Sequence, residues 1–257
     1  MIDLHTHVLP GIDDGPADMT GAVALVASAA EQGTTALAAT PHVRPDHPDV
    51  RPAELADRVR AVTRAVADAG LTVELHAGGE VDLLWAQRAS DSELRDVSLA
   101  QRGTDLLVET PYGELSLQFE DLLFKLRARG YRVLLAHPER SRTFQHDHRR
   151  LAALVEGGTL LQVTALSLAN SDRRSRSRRL ALDLVRHGVA HVIASDAHGA
   201  LLPRAGLRAG LEAAERVAPT RARWMLTDAP AAILAGDPLP PPPPEKHGVR
   251  RAIWLRR

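Results

Sequence analysis

The sequence predicts an α/β fold with a parallel sheet, closed as a TIM-like barrel of about seven strand–helix units or left open and doubly wound. Three observations predict it. Short apolar runs alternate with longer segments of helical spacing along most of the chain. The length of 257 residues suits one large α/β domain. Hydrophobic residues make up 44 %, enough for a sizeable core, and with aromatics at 3 % that core must be filled by Leu, Val and Ala.

Taken in order, residues 2–4 read as a brief strand, and the Ala- and Val-rich segment 18–32 as a helix closed by Gly33. Residues 34–40 read as a strand, 52–68 as a helix running to Gly70, and 71–77 as an alternating strand. Further strands are expected at 105–109, 132–136, 160–164 and 191–194, with helices near 115–129, 149–156 and 175–186, and another at 204–217. A short helix ends at Gly236, and the consecutive prolines Pro240 to Pro244 then form a stiff polyproline spacer that packs into no core. The expected division is therefore a domain over 1–237 and a proline-rich, flexible, basic tail over 238–257. That tail is read as solvated, with docking to a partner or membrane surface as its functional alternative.

Composition excludes several chemistries. There is no cysteine, hence no thiolate nucleophile, thiolate metal ligand or disulfide. The 32 basic and 32 acidic residues cancel, so no overall field recruits nucleic acid or an anionic membrane. No apolar run reaches the length of a membrane span, and a cytoplasmic location without membrane insertion is expected.

The histidines and carboxylates fall at telling places. His5 and His7 alternate at the end of the first strand, and Asp13-Asp14-Gly15 follows in a loop. His42 follows the second strand, Glu80 the third, Glu109 closes the fourth and His137 the next. Asp196 and His198 finish the last. Parallel α/β folds bring the C-terminal strand ends to one rim, so these groups should meet at one mouth. Imidazole and carboxylate together suit Mn, Fe, Zn or Co better than Ca. The set is too large for one ion, and two or three ions sharing bridging carboxylates would use it. Four carboxylates against three divalent ions leave about +2, which attracts a phosphate.

At these residues the sequence resembles the PHP superfamily, most closely its capsule and exopolysaccharide tyrosine phosphatases of the CpsB/CapC type. Met1-Ile2-Asp3-Leu4-His5-Thr6-His7 with Asp13-Asp14-Gly15-Pro16 carries the resemblance. Thr40-Pro41-His42, Gly79-Glu80, Val108-Glu109, His137-Pro138-Glu139-Arg140 and Ala194-Ser195-Asp196-Ala197-His198 follow in order. The resemblance implies a distorted TIM-like (β/α)7 barrel of the PHP type holding three divalent ions, with Mn favoured. It assigns His5, His7, Glu80 and Asp196 to one ion, and Glu80, Glu109 and His137 to a second. Asp14, His42 and His198 would hold the third, with Asp13 as the substitute for Asp14. Arg140 and Arg204 are similar to the pair of arginines that grip phosphate in that family; Arg204 is offset by about one residue, and Gly199 stands where Asn is common.

The implied activity is hydrolysis of phosphotyrosine by a metal-bridging hydroxide, with no general acid assigned because phenol, pKa about 10, leaves readily. The implied partner is the tyrosine-rich tail of a bacterial tyrosine kinase that controls polysaccharide export. Two other readings compete: a small-molecule phosphatase such as histidinol phosphatase, and a non-catalytic regulatory module on the same fold. The basic run Arg173-Arg174-Ser175-Arg176-Ser177-Arg178-Arg179 is read as a solvated face, with docking of an acidic or phosphorylated tail as the alternative. His47, His76, His146, His148, His187, His191 and His247 lack a strand-end motif and are read as surface or core residues.

Overall fold

Strand–helix alternation recurs through the computed structural model, which describes residues 1–200 and 206–245. Among the described residues the strands are β1 (Ile2–Thr6), β2 (Ala36–Ala39), β3 (His42–Val43), β4 (Glu74–Ala77), β5 (Glu80–Val81), β6 (Asp105–Val108), β7 (Arg132–Ala136), β8 (Leu160–Thr164) and β9 (Val192–Ala194). All pair in parallel, in one sheet of order β1-β2-β4 and a second of order β3-β5-β6-β7-β8-β9.

The division into two sheets has local causes. The strand expected to end at residue 40 is interrupted at Thr40-Pro41 and resumes as β3; proline brings no N–H to a ladder. Gly78-Gly79 likewise separates β4 from β5, so Glu80 opens a short strand of its own instead of trailing one. His42 and Glu80 are thereby placed side by side, paired in register across β3 and β5. The described ladders do not form one closed ring. The first and last strands are linked by a single parallel bridge between Thr6 and Ala197, with backbone N–H donation from Asp196 to His5 O at 2.9 Å and from His7 to Ala197 O at 2.8 Å.

Side chains alternate between two apolar clusters, as the pleat requires. Leu106, Val108, Val133, Leu135, Leu161, Val163 and Ile193 pack outward with the helices. Leu4, Ala38, Leu107, Leu134, Ala136, Val192 and Ala194 pack inward as a second cluster, joined by Ile233 and Leu234 of the helix Asp228–Ala235. No helix among the described residues is long and apolar enough to cross a membrane.

Helix boundaries follow capping chemistry. The helix Met19–Glu31 starts at Asp18, whose carboxylate accepts from Gly21 N at 2.8 Å. Expected helices shorten to Phe119–Ala128 and Leu207–Glu215, and residues 52–68 divide into a 3₁₀ turn, Pro52–Glu54, and the helix Leu55–Asp68. Short helices such as Leu83–Arg88, Asp91–Val97 and Arg142–His146 have too few turns to show a periodicity in the sequence. Beyond Gly236, Leu239 packs against both clusters and Pro240, Pro241 and Pro242 lie beside Trp224. Arg221 N donates to Glu245 at 2.7 Å. Residues 246–257, and Arg204, lie outside the described residues.

Candidate metal centre

His5, His7, Glu109, His137 and Asp196 lie at or just beyond the C-terminal ends of their strands, His42 and Glu80 open the short strands β3 and β5, and Asp14 and His198 lie in loops. His5 lies in β1 and His7 just after it; a register shift between Asp3 and Thr6 places an extra residue on β1 there. Such a bulge re-aims side chains, and His5 Nε2 and His7 Nε2 lie 3.2 Å apart. Glu109 follows β6, and His137 and Asp196 follow β7 and β9 in left-handed backbone at φ 36° and 57°. Left-handed backbone is costly for a residue with a side chain and is kept where neighbours over-determine it. The Asp13-Asp14-Gly15 turn folds tightly under His7, where any Cβ on residue 15 would run into the His7 carbonyl.

Four groups of side chains converge, the ligand atoms within each lying within 4.8 Å of one another: His5–His7–Asp196, His5–Glu80–His137, His42–Glu80–Glu109 and His7–Asp14–His42–His198. All nine residues predicted as ligands are thus brought together. The triple Glu80–Glu109–His137 is not among the four. Glu109 is turned toward Arg44, whose Nη1 donates to Oε1 at 3.0 Å, and its nearby imidazole is His42 at 3.9 Å.

The tautomers are set from outside the cluster. His5 Nδ1 lies 3.0 Å from the side-chain oxygen Oε1 of Gln162 and His7 Nδ1 lies 2.8 Å from Asp13 Oδ2. Both acceptors lack a proton to give, so each Nδ1 donates and each Nε2 faces inward as the atom that takes a proton or a cation. The two Nε2 atoms also face Asp196 Oδ1 at 3.2 and 3.4 Å and Glu80 Oε2 at 3.3 and 3.7 Å. His42 Nδ1 and Glu80 Oε2 approach to 3.0 Å, yet both are buried without a hydrogen-bond partner. Acceptors crowded on one point without donors call for protons or a cation. A divalent cation fits this donor set: imidazole nitrogens and carboxylate oxygens, buried and mutually facing.

Electrostatics point the same way. Burial opposes charge on His5 and His7, but Glu80 and Asp196, with Asp13 beside His7, outweigh it and raise them to about 8 and about 10. Burial would raise Glu80 and Asp196, yet the surrounding imidazoles, with Arg140 beside Asp196, hold both well below the usual carboxylate range. Glu109 is raised by burial and by Glu80.

Asp13 and Asp14 have different work. Asp13 accepts from His7 Nδ1, Gly15 N and His42 N, and His7 helps to draw its pKa to about 2 against burial. Asp14 is half exposed, with Oδ1 3.3 Å from His198 Nε2 and 3.6 Å from His42 Nε2. Arg140 reaches the rim, its Nη1 donating to Asp196 Oδ2 at 2.6 Å and to the Tyr112 hydroxyl at 3.2 Å. The turn Pro138–Arg140 is pinned by Glu139, whose Oε1 accepts from Thr164 N and Oγ1 at 2.9 and 2.8 Å.

Sequence reading missed Gln162, Arg44, Tyr112 and Glu139. Gln162 had a usable signal, a polar residue inside the apolar run Leu160-Leu161-Gln162-Val163. Glu139 lies inside the motif His137-Pro138-Glu139-Arg140; Arg44 and Tyr112 carry no such signal.

The chain is 27 % identical over 249 residues to the tyrosine-protein phosphatase YwqE of Bacillus subtilis, covering 96 % of this chain and 97 % of that one. It is 30 % identical over 202 residues to the putative tyrosine-protein phosphatase CapC of Staphylococcus aureus, covering 77 % of each. A crystal structure from work on YwqE and the Streptococcus pneumoniae protein CpsB, described as unique metal-dependent tyrosine phosphatases, superposes with a TM-score of 0.81 at 27 % identity, over 96 % of this chain and all of that one. The family model for capsular polysaccharide synthesis, CpsB/CapC, matches residues 1–235, a span that holds every convergent side chain, and the chain belongs to that family.

Proposed function

We propose that this chain is a metal-dependent protein-tyrosine phosphatase, with residues 1–237 as its catalytic unit. The observation that carries the reading is the meeting of His5 Nε2, His7 Nε2, Asp196 Oδ1 and Glu80 Oε2 at one buried point, with both Nδ1 atoms already committed elsewhere. The phosphatase assignment rests on the relatives' activity and on this donor set. The inward cluster and the Thr6–Ala197 bridge support a further inference: the two sheets are staves of one distorted seven-unit barrel broken at Thr40-Pro41 and Gly78-Gly79.

Three divalent ions, manganese first among them, fit the nine residues His5, His7, Asp14, His42, Glu80, Glu109, His137, Asp196 and His198. When bound, they would supply Lewis-acid polarisation of the phosphoryl group and activation of water. The chain's own groups do the rest. Asp13 and Gln162 hold His7 and His5 with Nε2 inward. Arg140, anchored through Asp196 and the Glu139–Thr164 contacts, offers its remaining N–H groups to the phosphate oxygens as charge builds on them. Arg204 is proposed as a second phosphate grip. Tyr112, its ring centroid 5.5 Å from that of His137 and half exposed, offers a flat face to the substrate's phenyl ring. Water adds to phosphorus, the bond from phosphorus to the aryl oxygen breaks, and phosphate and tyrosine leave. Phenol, of pKa about 10, departs without a dedicated general acid.

The family description, capsular polysaccharide synthesis, supports a substrate in that process. We take it to be the tyrosine-rich tail of a cytoplasmic bacterial kinase. Manganese-stimulated release of phosphate from phosphotyrosine peptides, phosphoserine peptides and histidinol phosphate tests the reading. Preference for phosphotyrosine is expected; equal rates on all three would overturn the tyrosine assignment, and no metal-stimulated release on any would overturn the phosphatase.

A further inference from the structure

The loops that follow β7 and β8 carry a second concentration of charge that the metal centre does not use. Five arginines, Arg173, Arg174, Arg176, Arg178 and Arg179, occur within seven residues where the helix Arg176–Arg186 begins. Arg176 and Arg179 line a cavity of about 300 Å³ with His146, His148, Gln145 and Leu180. The one carboxylate on its wall, Asp183, is taken by Arg186 Nη1 at 2.7 Å. Arg176 Nη1 lies 2.6 Å from His146 Nε2, a contact that orients the guanidinium with its other N–H groups to spare. The nearby ion pairs, Arg150–Glu120 and Arg186–Asp183, leave Arg176 and Arg179 without a carboxylate partner among the described residues.

This placement is costly to the fold. The first turn of the helix Arg176–Arg186 holds no acidic residue and instead places arginines at the positive end of the peptide dipoles. Like charges also stand side by side there. A helix selected only for stability would carry acids at those positions.

The cavity is linked to the metal centre through the turn Pro138–Arg140. Gln145 Nε2 donates to Glu139 O at 2.8 Å and to Ser177 Oγ at 3.1 Å. It thereby braces the turn that carries Arg140 against the start of the basic helix. Arg142, two residues beyond Arg140 and exposed, has its N–H on Tyr112 O at 3.2 Å.

We propose that this cavity is a second anion subsite, which takes the phosphate of another phosphorylated side chain on the polypeptide being dephosphorylated at the metal centre. The proposal rests on the phosphatase reading and narrows its substrate class to multiply phosphorylated segments. Arginine suits the role because its planar fork meets phosphate oxygens in pairs. A dianion there gains from both guanidiniums, whereas an isolated carboxylate offers half the charge and fewer acceptors.

The test compares kcat/KM for one phosphotyrosine peptide, for the same peptide carrying a second phosphotyrosine at a range of spacings, and for versions with glutamate in place of the second phosphate. The native protein should favour one doubly phosphorylated spacing by about tenfold or more through KM, an advantage that fades as salt rises. The double variant Arg176→Ala/Arg179→Ala should lose that advantage while keeping its rate on p-nitrophenyl phosphate. Charge reversal to glutamate at both positions should turn the advantage into a penalty. No preference in the native protein, an undiminished preference in the variants, or an equal gain from glutamate would each overturn the proposal. Binding of the intact doubly phosphorylated peptide to Glu80→Ala does not depend on turnover. Tenfold tighter binding than the singly phosphorylated peptide, abolished by adding Arg176→Ala/Arg179→Ala, is expected even if the phosphatase reading fails.

Discussion

Replacing Glu80 with alanine puts the whole metal arrangement under load. Glu80 is fully buried, with Oε1 2.8 Å from His137 Nε2 and Oε2 3.0 Å from His42 Nδ1 and 3.3 Å from His5 Nε2. It belongs to two of the four convergent groups, so on the proposed ligand set its loss should remove a ligand from two ion positions at once. A charge-assisted contact contributes about 1.5–3 kcal/mol, so each of the two affinities should fall about 10- to 100-fold. An ion present at about 1,000 times its Kd stabilises the fold by about 4 kcal/mol, which shrinks to roughly 1.5–2.7 kcal/mol after such a fall. At about 2–4 °C per kcal/mol for a chain of this length, the manganese-induced rise in Tm should drop by about 3–10 °C for each ion affected. Melting curves in manganese and in EDTA measure the shift, elemental analysis counts the ions, and hydrolysis of p-nitrophenyl phosphate should fall about 100-fold or more. Glu80→Gln, which keeps the side-chain volume, separates ligand loss from cavity creation: both variants should lose the shift, and only alanine should also melt much lower in EDTA. Glu80→Ala with a full manganese shift and near-normal turnover would refute the shared-ligand reasoning.

Three other perturbations probe the surroundings. Asp14→Asn should remove one ion from the elemental count, whereas Asp13→Asn, which frees His7 to turn, should lower affinity about 10- to 100-fold without lowering the count at saturating metal; identical behaviour of the two variants would contradict their assigned work. Asp3, buried between His5 N and Ser195 N, is raised from an ordinary 3.8 to about 6 by burial, the surrounding hydrogen bonds and His5 only partly offsetting it. A raised carboxyl contributes most when protonated and loses that contribution as pH climbs from about 4 to about 6, up to roughly 3 kcal/mol; Asp3→Asn should therefore raise Tm in EDTA near pH 8 and leave it unchanged near pH 4, and a pH-independent difference would exclude the linkage. Tyr112→Ala should raise KM for phosphotyrosine peptides several-fold and leave KM for a small alkyl phosphate unchanged; a parallel change in both would mean that Tyr112 acts only by holding Arg140.

Much of the site was legible because its residues sit at strand ends, where a one-dimensional pattern maps onto a single rim. His5, His7, Glu109, His137 and Asp196 converge for that reason, and the strand breaks and loops bring His42, Glu80, Asp14 and His198 to the same place. The pairing of those residues was not legible. Which imidazole Glu109 faces is decided by Arg44, and which aspartate meets the cluster is decided by the three N–H donors that converge on the Asp13 carboxylate. Both are matters of side-chain direction in loops, where sequence carries no period. The strand breaks at Thr40-Pro41 and Gly78-Gly79 stood in plain view as punctuation, but apolar runs on their near side read as complete strands. Polyproline chemistry correctly forbids a place inside the core for Pro240 to Pro244, yet it does not forbid lying along one, as Pro240 to Pro242 do beside Trp224.

The same atoms that make the centre reactive make it expensive. Buried acceptors face one another without donors, two non-glycine residues hold left-handed backbone, and carboxylates are kept ionised against burial. None of these gains anything from the rest of the fold except position. Without a cation, the cluster can relieve itself only by holding extra protons, which is why His5 and His7 keep them to about 8 and about 10. A divalent cation that displaces those protons releases them to solvent, so metal affinity should climb steeply with pH until the imidazoles are neutral. The proton and the metal ion thus compete for one set of lone pairs, and the geometry that stores the unfavourable electrostatics is the geometry that selects the ion.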